Sequence, residues 1–434
     1  MVRAWAIWTL VVVGCRPPDG GLVASCAVAD DNALRVWCEV DGGEDVVVRY
    51  QPVDGGAETV QRGVGTLGVS FLEEETTYEW TVERVDDPWR SASGTFTTGT
   101  VPDEARETWT VDGASSVDYF LHVGLCAEAS MAIVTRASDG ATVWYERFPD
   151  ANRFVGLQHS EDDTVLAVSG KFAWSERTWM GEERAGWTRT PSSNASLHHD
   201  VTRWDGLTYA LTMDDDVAHD GAVWRIDGFI VFDGEVEVAR WSLADHWLPS
   251  RPHPRYGTDV SHVNSIQVVG GEAVLSIKHL STVIGVAADP EADDFGTVRW
   301  RLEGTTLSDG LGSDFALVDE GGAAEGFVEQ HHASFDGEGR LRLFDNRIGE
   351  PSRGLTVRLD DGQAVVEEAL ALDSYCVYQG SNYRTGVGST LLACGTDRQA
   401  TEWADGERVW EATGVCATGT SRALPRMIPL PQGQ

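Results

Sequence analysis

Histidines are concentrated in one stretch of the chain, and their spacing indicates a shared site. Nine of the 11 His residues lie between residues 198 and 332. Four segments carry the residues of interest: Leu197-His198-His199-Asp200, Ser261-His262-Val263-Asn264, Lys278-His279 and Gln330-His331-His332-Ala333. Imidazole is the side chain best suited to nucleophilic attack and proton transfer near neutral pH. We therefore expect chemistry to be carried out in this part of the chain.

These segments are typical of β-strands, which restricts where each side chain can point. Side chains alternate across a strand, so only one residue of each adjacent His pair can face a given side. His199 and His262 are 63 residues apart, and His262 and His331 are 69 residues apart. The sequence predicts that four residues point into one central funnel: His199, His262, Lys278 and His331. We expect His198, His279 and His332 to face outward or to lie behind this group.

A weak repeat indicates the fold that positions these strands. A Gly, Val and Trp pattern ends at Trp144, Trp241, Trp300 and Trp410, with Trp-to-Trp separations of 97, 59 and 110 residues. These separations match one or two units of about 50 residues, the size of a four-stranded propeller blade with its loops. The sequence predicts an all-β fold with a β-propeller of about six blades over residues 109–423. We expect the repeated Trp side chains to pack between blades.

The N-terminal part has a different texture. Residues 22–100 contain short runs of alternating apolar and polar residues, such as Val46-Val47-Val48-Arg49-Tyr50 and Thr77-Tyr78-Glu79-Trp80. About seven short strands in this length predict an immunoglobulin-like or fibronectin type III-like β-sandwich. Residues 100–108, which include a proline and three acidic residues, are the predicted linker.

The charge of the chain argues against nucleic acid as a partner. Its 434 residues include 69 Asp and Glu against 33 Lys and Arg, which gives a formal net charge of −36. Such a surface repels nucleic acids and anionic lipids. A pocket lined by His and Lys would be a local exception that could hold an anion. The composition also permits a homodimer.

The first residues are typical of an export signal. Arg3 precedes an apolar run over residues 4–13 that is too short to span a bilayer comfortably. The run ends in Val12-Val13-Gly14-Cys15, which resembles the lipobox of bacterial lipoproteins. The resemblance implies a signal peptide over residues 1–15 and acylation of Cys15. The acylated protein would be anchored at the outer membrane or cell surface, and it could face the periplasm. An ordinary secretory signal is the alternative.

Six further cysteines remain, and an even number in an exported protein indicates disulfides. They are Cys26, Cys38, Cys126, Cys376, Cys394 and Cys416. Fifteen pairings of six cysteines are possible, and free buried thiols are the alternative. We expect Cys26–Cys38 within the sandwich, Cys376–Cys394 within a late blade, and Cys126–Cys416 between the first and last blades. No cysteine spacing resembles a zinc site.

Five segments in order along the propeller resemble motifs of the arylsulfate sulfotransferase family. They are His198-His199-Asp200 with Trp204-Asp205-Gly206, Asp259 through Ile266, Leu275-Ser276-Ile277-Lys278, Gln330-His331 with Leu343-Phe344-Asp345-Asn346, and Gln379 through Arg384 with Thr390-Leu391-Leu392. Each motif alone is weak, but the ordered set covers residues 120 to 415. Family members also carry an N-terminal β-sandwich.

The resemblance implies a reaction and a role for each residue. The family transfers a sulfuryl group from a phenolic sulfate ester to a phenolic acceptor, without an adenylated sulfate donor or any other cofactor, through a sulfated histidine. By position, His331 matches the nucleophile, and His262 and His199 match the other two active-site histidines. Lys278 stands where the family has an arginine. Lysine keeps the charge but loses the planar fork that grips sulfate at two points.

Two other functions are compatible with the same residues. One is a non-catalytic propeller lipoprotein that binds a ligand or partner. The other is a copper or zinc protein, because several imidazoles converging on one funnel could bind a metal. No spacing of carboxylates supports a metal, so none is expected.

Overall fold

A computed structural model describes residues 22–126, 131–148, 154–160, 162–188, 195–307, 309–320, 322–386 and 388–430. Cys15 and the predicted signal peptide over residues 1–15 lie outside these ranges. The chain divides into two compact units, Met1–Thr100 and Val101–Gln434. Within the described ranges, no helix has the length and apolarity needed to cross a membrane.

Two antiparallel sheets form the described part of the N-terminal unit. Its strands are β1 (Ala24–Val28), β2 (Val36–Val40), β3 (Asp45–Pro52), β4 (Thr59–Val64), β5 (Leu67–Val69), β6 (Thr77–Arg84) and β7 (Ser91–Thr97). One sheet has the order β1-β2-β5 and the other has the order β4-β3-β6-β7. Apolar residues of both sheets share one core, which includes Val36, Val48 and Trp80, because alternate residues of each strand point inward.

The disulfide predicted in this unit is confirmed. Cys26 and Cys38 are directly opposite each other in the β1–β2 pair, with their Cα atoms 4.0 Å apart. The bridge therefore fixes the register of two neighbouring strands.

The second unit is also built from strands, apart from short 3₁₀ turns at Asp103–Ala105, Leu243–Asp245 and Lys278–Leu280 in its described part. Its first strands are β8 (Glu107–Gly113), β9 (Tyr119–Val123), β10 (Met131–Arg136), β11 (Thr142–Arg147), β12 (Phe154–His159), β13 (Val165–Ser169), β14 (Ala173–Arg177), β15 (Glu183–Thr188), β16 (Ala195–Trp204), β17 (Leu207–His219), β18 (Ala222–Asp233) and β19 (Val236–Ser242). The later strands are β20 (Val263–Val269), β21 (Glu272–Ile277), β22 (Thr282–Ala287), β23 (Val298–Glu303), β24 (Ala316–Asp319), β25 (Gly322–Ala323), β26 (His331–Phe335), β27 (Leu341–Asp345), β28 (Arg353–Asp360), β29 (Gln363–Ala371), β30 (Ser381–Gly386), β31 (Ser389–Cys394), β32 (Gln399–Ala404), β33 (Glu407–Cys416) and β34 (Met427–Pro429).

These strands form six sheets, here called blades 1 to 6, in a β-propeller-like ring over the described residues of this unit. Blades 2, 3 and 4 are the consecutive four-strand sets β12–β15, β16–β19 and β20–β23. Blade 5 is β26–β29, extended by β24 and β25, and blade 6 is β30–β33. Neighbouring blades meet through their first strands, β12, β16, β20, β26 and β30. The core lies between the blades.

Both ends of the described ring are closed by strands distant in sequence. Blade 1 consists of β9, β10 and β11 together with the late strand β34, which pairs with β9. The early strand β8 pairs with β33 and is a fifth strand of blade 6. The ring therefore extends past both predicted limits, 109 and 423. Residues 107 and 108, assigned to the linker from the sequence, belong to β8 instead, because β33 offers a free edge to pair with.

The two disulfides predicted in the propeller are also confirmed. Cys126, three residues beyond β9, is bonded to Cys416 at the end of β33, with a Cα–Cα distance of 4.9 Å. This bridge links blade 1 to blade 6. Cys376 is bonded to Cys394, with a Cα–Cα distance of 5.6 Å, and joins the segment before β30 to the end of β31.

Three of the four repeated Trp residues connect blades, as expected. The indole N–H of Trp144 donates to the carbonyl of Trp179, that of Trp241 donates to Gly296, and that of Trp410 donates to Ala137. Each of these bonds joins one blade to the next, and all three Trp side chains are buried. Trp300 differs, because its indole donates to Glu272 within blade 4.

Candidate functional site

The predicted site residues lie where the innermost strands of blades 3, 4 and 5 begin. In β16 the pairing register shifts between Leu197 and Val201, so that His198 and His199 lie in a bulge. A similar shift occurs in β26 between His331 and Ser334. Bulges of this kind redirect side chains near the ends of strands. Three blades therefore each present histidines at the same end of the ring.

Strand alternation does not decide where these histidines point. The backbone has a positive φ at His199 (54°), His262 (51°) and His332 (50°), which is uncommon for residues other than glycine. His198 therefore does not point outward but lies behind His199, the other expected position, with its Nδ1 2.6 Å from Nδ1 of His199. His332 does turn from His331 toward the ring of Tyr383, at a centroid distance of 4.1 Å.

Imidazole rings from blades 3 and 4 form a compact group. The ring centroids of His199 and His262 are 4.8 Å apart, and those of His262 and His279 are 4.5 Å apart. His279 does not face outward, one of its two expected positions, because it is buried and stacked on His262. The reason is local, since His279 belongs to the 3₁₀ turn that ends β21 rather than to the strand itself.

Lys278 lies against the same group. Its Nζ is 3.3 Å from Nε2 of His279 and 3.4 Å from the hydroxyl of Tyr256, and it lies 4.4 Å from the centre of the Tyr256 ring. Burial, which disfavours the ammonium ion, lowers the pKa of Lys278, although the carboxylates of Glu329 and Asp259 oppose this shift. In its ammonium form, Lys278 places a positive charge beside the imidazole group.

The hydrogen bonds of His331 fix its tautomer. Nδ2 of Asn346 donates to the carbonyls of Cys376 (2.8 Å) and Gln379 (2.9 Å), so Oδ1 of Asn346 must face His331. Nδ1 of His331 lies 2.8 Å from that oxygen and therefore carries the proton. Nε2 is left with a lone pair, toward which the N–H of Gln379 points at 3.3 Å.

His331 is also held neutral. Its burial, followed by the nearby charge of Lys278, places the pKa of His331 well below the ordinary value of 6.5. Burial and the neighbouring histidines do the same for His199. A neutral imidazole with an unprotonated Nε2 is the nucleophilic form of this side chain near pH 7.

Asp259 orients the blade 4 histidines. Its Oδ2 is 2.9 Å from Nδ1 of His262, and its main-chain carbonyl is 2.8 Å from Nδ1 of His279. Burial would raise the pKa of Asp259, but the contacts with both histidines outweigh it and the pKa falls. Burial lowers the pKa of His279 to about 4. Because both Nδ1 atoms face Asp259, both Nε2 atoms point away from it.

The same three residues could bind a metal ion, which the sequence spacing did not suggest. The candidate ligand atoms of Asp259, His262 and His279 all lie within 4.8 Å of one another. However, both imidazoles already contact Asp259 through Nδ1. The arrangement fits a carboxylate that orients histidines at least as well as it fits a metal site.

A loop between blades 3 and 4 covers the group, and its residues were not predicted as functional. Tyr256 stacks on His279 with centroids 3.7 Å apart, and its hydroxyl is 2.9 Å from Oε2 of Glu329. Arg255 binds the other oxygen of Glu329 at 2.8 Å. His253 is buried and stacks on both Tyr256 and His279.

A buried ion pair underlies the site. Both oxygens of Asp200 contact the guanidinium of Arg426 at 2.8 Å, and Arg426 also donates to the carbonyl of Asn264. Arg426 immediately precedes β34, beyond the predicted end of the propeller, and was therefore missed. The pair links blade 3 to the strand that completes blade 1.

A cavity along the inner strands is not the predicted funnel. This cavity of about 650 Å³ is lined by residues further along these strands, including Asp200, Gln267, His332, Arg342, Tyr383 and Arg384. None of His199, His262, Lys278 and His331 lines it. Asp200 and Tyr383, on the wall of this cavity, are both close to Arg426. The catalytic candidates are therefore grouped together, but outside this cavity.

No family model matches this sequence, and no curated protein matches it. Solved structures do match. A Bacteroides caccae protein of unknown function is 10% identical (TM-score 0.48), over 73% of this chain and 100% of that chain. An inactive virginiamycin B lyase from Staphylococcus aureus, solved with quinupristin, is 11% identical (TM-score 0.39), over 71% of this chain and 99% of that chain. The periplasmic gluconolactonase of Pseudomonas aeruginosa is 13% identical over 89% and 100% (TM-score 0.37). At these values, none of the similarities bears on function.

Proposed function

We propose that this protein transfers a sulfuryl group from a phenolic sulfate ester to a phenolic acceptor through a sulfated His331. The observation that carries the proposal is the state of that side chain: a neutral imidazole whose Nδ1–H is held by Asn346 and whose Nε2 has a lone pair. In the first half of the reaction, Nε2 forms a bond to sulfur while the bond between sulfur and the phenol oxygen breaks. The acceptor phenol reverses these changes.

The surrounding residues suit the charge that develops on the sulfuryl oxygens. Lys278 is close enough to His331 for its charge to lower the pKa of that side chain. His262 contacts Asp259 through Nδ1, which leaves its Nε2 to face a substrate, and His199 lies against it. Donors held in place before the reaction are the usual means of stabilising such charge.

A non-catalytic binding function is the alternative, and one observation favours it. Glu329 is buried, binds Arg255 and Tyr256, and lies near enough to Lys278 to oppose the lowering of its pKa. A carboxylate beside the lysine already balances part of the charge that a sulfate would need. A neutral or cationic ligand would fit that balance better than a sulfate ester.

For the N-terminal unit we propose a fibronectin type III-like sandwich. Its first, second and fifth strands form one sheet, and its fourth, third, sixth and seventh form the other. The hydroxyl of Tyr78, near the start of β6, accepts a hydrogen bond from the N–H of Glu73 at 2.9 Å. A tyrosine that bonds back to the chain at this corner recurs in immunoglobulin-like sandwiches.

We also propose that the protein is exported and anchored through an acylated Cys15 at the outer membrane or cell surface. Three disulfides support an oxidising compartment. The lipobox-like Val12-Val13-Gly14-Cys15 supports the anchor.

Mass spectrometry of the intact protein tests the activity. Brief exposure to 4-nitrophenyl sulfate should add one sulfuryl group, and phenol should then remove it as phenyl sulfate. His331→Ala should form no adduct, because no N–S bond can form. His332→Ala is the matched control, since it removes an equally buried neighbouring imidazole, and it should still form the adduct.

Each other result has a definite meaning. An adduct that forms in His331→Ala but not in His332→Ala would show that His332, and not His331, is the nucleophile. A folded wild-type protein that forms no adduct with any aryl sulfate would favour the binding function. Metal analysis of protein purified without chelators tests the arrangement of Asp259, His262 and His279 separately.

A further inference from the structure

A line of three ionisable side chains leads from β18 to the histidine group. Oδ1 of Asp227, on β18, lies 2.9 Å from Nε2 of His198. Nδ1 of His198 in turn lies 2.6 Å from Nδ1 of His199. The ring of His199 then packs against His262. Asp227 and His198 lie outside the set of residues that the sulfuryl transfer so far requires.

Asp227 is held so that only one of its oxygens faces the histidines. Its Oδ2 accepts hydrogen bonds from the N–H of Val263 at 2.8 Å and from the hydroxyl of Ser261. The N–H of Asp227 itself donates to that hydroxyl at 3.0 Å. With Oδ2 fixed by blade 4, Oδ1 is directed at His198. The side chain is 1% exposed, so its charge acts on His198 without screening by water.

The contact between the two Nδ1 atoms requires a single shared proton. If His198 holds it, His199 accepts at Nδ1 and presents Nε2–H to the site. If His199 holds it, its Nε2 presents a lone pair instead. The position of one proton between two adjacent histidines therefore decides whether His199 acts as an acid or as a base.

We propose that Asp227, His198 and His199 form a proton relay that serves the leaving phenol and the incoming phenol in turn. The inference rests on the proposed sulfuryl transfer and assigns it a source of protons. His199 is the catalytic residue of the three, because it contacts the substrate oxygen. His198 and Asp227 are positioning residues that act through it.

The relay conserves protons over both half-reactions. As Nε2 of His331 bonds to sulfur and the S–O bond breaks, the departing phenolate takes the proton from Nε2 of His199. Nδ1 of His199 then takes the proton from Nδ1 of His198, whose Nε2–H stays paired with Asp227. The acceptor phenol gives its proton to Nε2 of His199 as its oxygen bonds to sulfur and the N–S bond to His331 breaks. The second proton then returns from Nδ1 of His199 to Nδ1 of His198.

The electrostatics of the line agree with this resting state. Burial disfavours a charged imidazole, but the Asp227 carboxylate outweighs it and raises the pKa of His198 above 6.5. Of the other charged or titratable groups nearby, His199 and Asp259 act on His198, and His262 acts on Asp227 and on His199. Asp227 keeps its charge throughout, as the corresponding carboxylate does in the Ser-His-Asp triad.

The test compares two sulfate esters that differ in their need for a proton. The pKa of phenol is about 10, like that of a tyrosine side chain, so the leaving oxygen of phenyl sulfate needs a proton. The much more acidic 4-nitrophenol does not. In His198→Gln and in Asp227→Asn, the rate of adduct formation from phenyl sulfate should fall on the order of 10²-fold or more. The rate from 4-nitrophenyl sulfate should change far less.

Two comparisons distinguish a relay from a purely structural role of these side chains. His332→Gln removes an equally buried imidazole outside the line, and any loss in this variant should be the same for both esters. The relay is overturned if His198→Gln and Asp227→Asn slow both esters by equal factors, since that is the result of a structural role. Failure of the sulfuryl transfer itself would look different, because wild-type protein would form no adduct from either ester.

Discussion

The proton of His331 faces Asn346 and its lone pair faces the N–H of Gln379, and the two carbonyls bound by the amide of Asn346 prevent the reverse arrangement. The flipped amide would bring Nδ2 of Asn346 against Nδ1 of His331, and it would bring Oδ1 of Asn346 against the carbonyls of Cys376 and Gln379. Asn346 comes directly after β27, one strand away from the histidine that it holds. An uncharged amide therefore selects the nucleophilic nitrogen without placing a negative charge beside it.

Asn346→Asp should shift the pH dependence of adduct formation. A carboxylate at Nδ1 stabilises the imidazolium form of His331 and so raises its pKa. At neutral pH the variant should form the sulfuryl adduct on the order of 10-fold more slowly, and its rate should recover as the pH rises. The measurement is the adduct rate against pH. Asn382→Asp, which changes another buried amide that also donates to two carbonyls, should leave the profile in place.

Lys278→Arg should hold or raise the adduct rate, and Lys278→Gln should lower it about 10²-fold, because only the first keeps a cation for the sulfuryl oxygens. The chain has two lysines, and the exposed Lys171 provides a matched control. Lys171→Gln should leave the rate unaffected. If Lys278→Gln is as active as wild type, the sulfuryl group is held by other residues.

Arg426→Gln should destabilise the second unit by about 3–5 kcal/mol, because it leaves the buried Asp200 carboxylate without its partner. Urea unfolding of the purified protein measures this change. Arg408→Gln breaks a two-point ion pair with the exposed Asp373, for which a change of about 0–1 kcal/mol is expected. Equal effects of the two substitutions would contradict the role given to burial.

Acidification should destabilise the second unit and spare the first. Burial lowers the pKa of His199, His279, His331 and His332. Below pH 6.5 the unfolded chain binds protons at these positions while the folded chain does not. The free energy of unfolding therefore decreases as the pH is lowered, and for His279 this continues until its folded-state pKa of about 4 is reached. His198 has a raised pKa and opposes the trend.

Thermal unfolding followed between about pH 7 and pH 5 checks this prediction. All 11 histidines lie outside residues 1–100, so the transition of the N-terminal unit is an internal reference that has no imidazole to titrate. His279→Gln should reduce the pH dependence of the second transition. A second transition with the same pH dependence as the first would contradict the expected role of the buried imidazoles.

The residue types predicted the sheets better than they predicted the directions of side chains. Alternating runs and repeated Trp residues are local signals, and they predicted an all-β chain. The direction of His198 depends on a bulge and on the positive φ of its neighbour His199. Histidine is enriched at positive φ among residues other than glycine, so adjacent histidines at a strand start were themselves the missed signal.

Other residues of the site depend on contacts across the ring. Arg426 reaches Asp200 over a separation of 226 residues, and no local pattern connects the two. Tyr256 joins the site because a loop folds back over His279. Asn346 was noted within a motif, but its role in fixing a tautomer depends on two carbonyls that only the fold brings to it.

The placement of β34 inside blade 1 has a consequence for biosynthesis. A polypeptide that leaves the ribosome and crosses a membrane from its N-terminus delivers β9 to β11 early, yet their sheet lacks its inner strand until β34 arrives. Arg426, which neutralises the buried Asp200, arrives at the same moment. A partly secreted chain would hold an open ring with an unpaired carboxylate at its centre. If the protein is exported as proposed above, Asp200 gains its arginine counter-charge only after translocation has delivered the last strand.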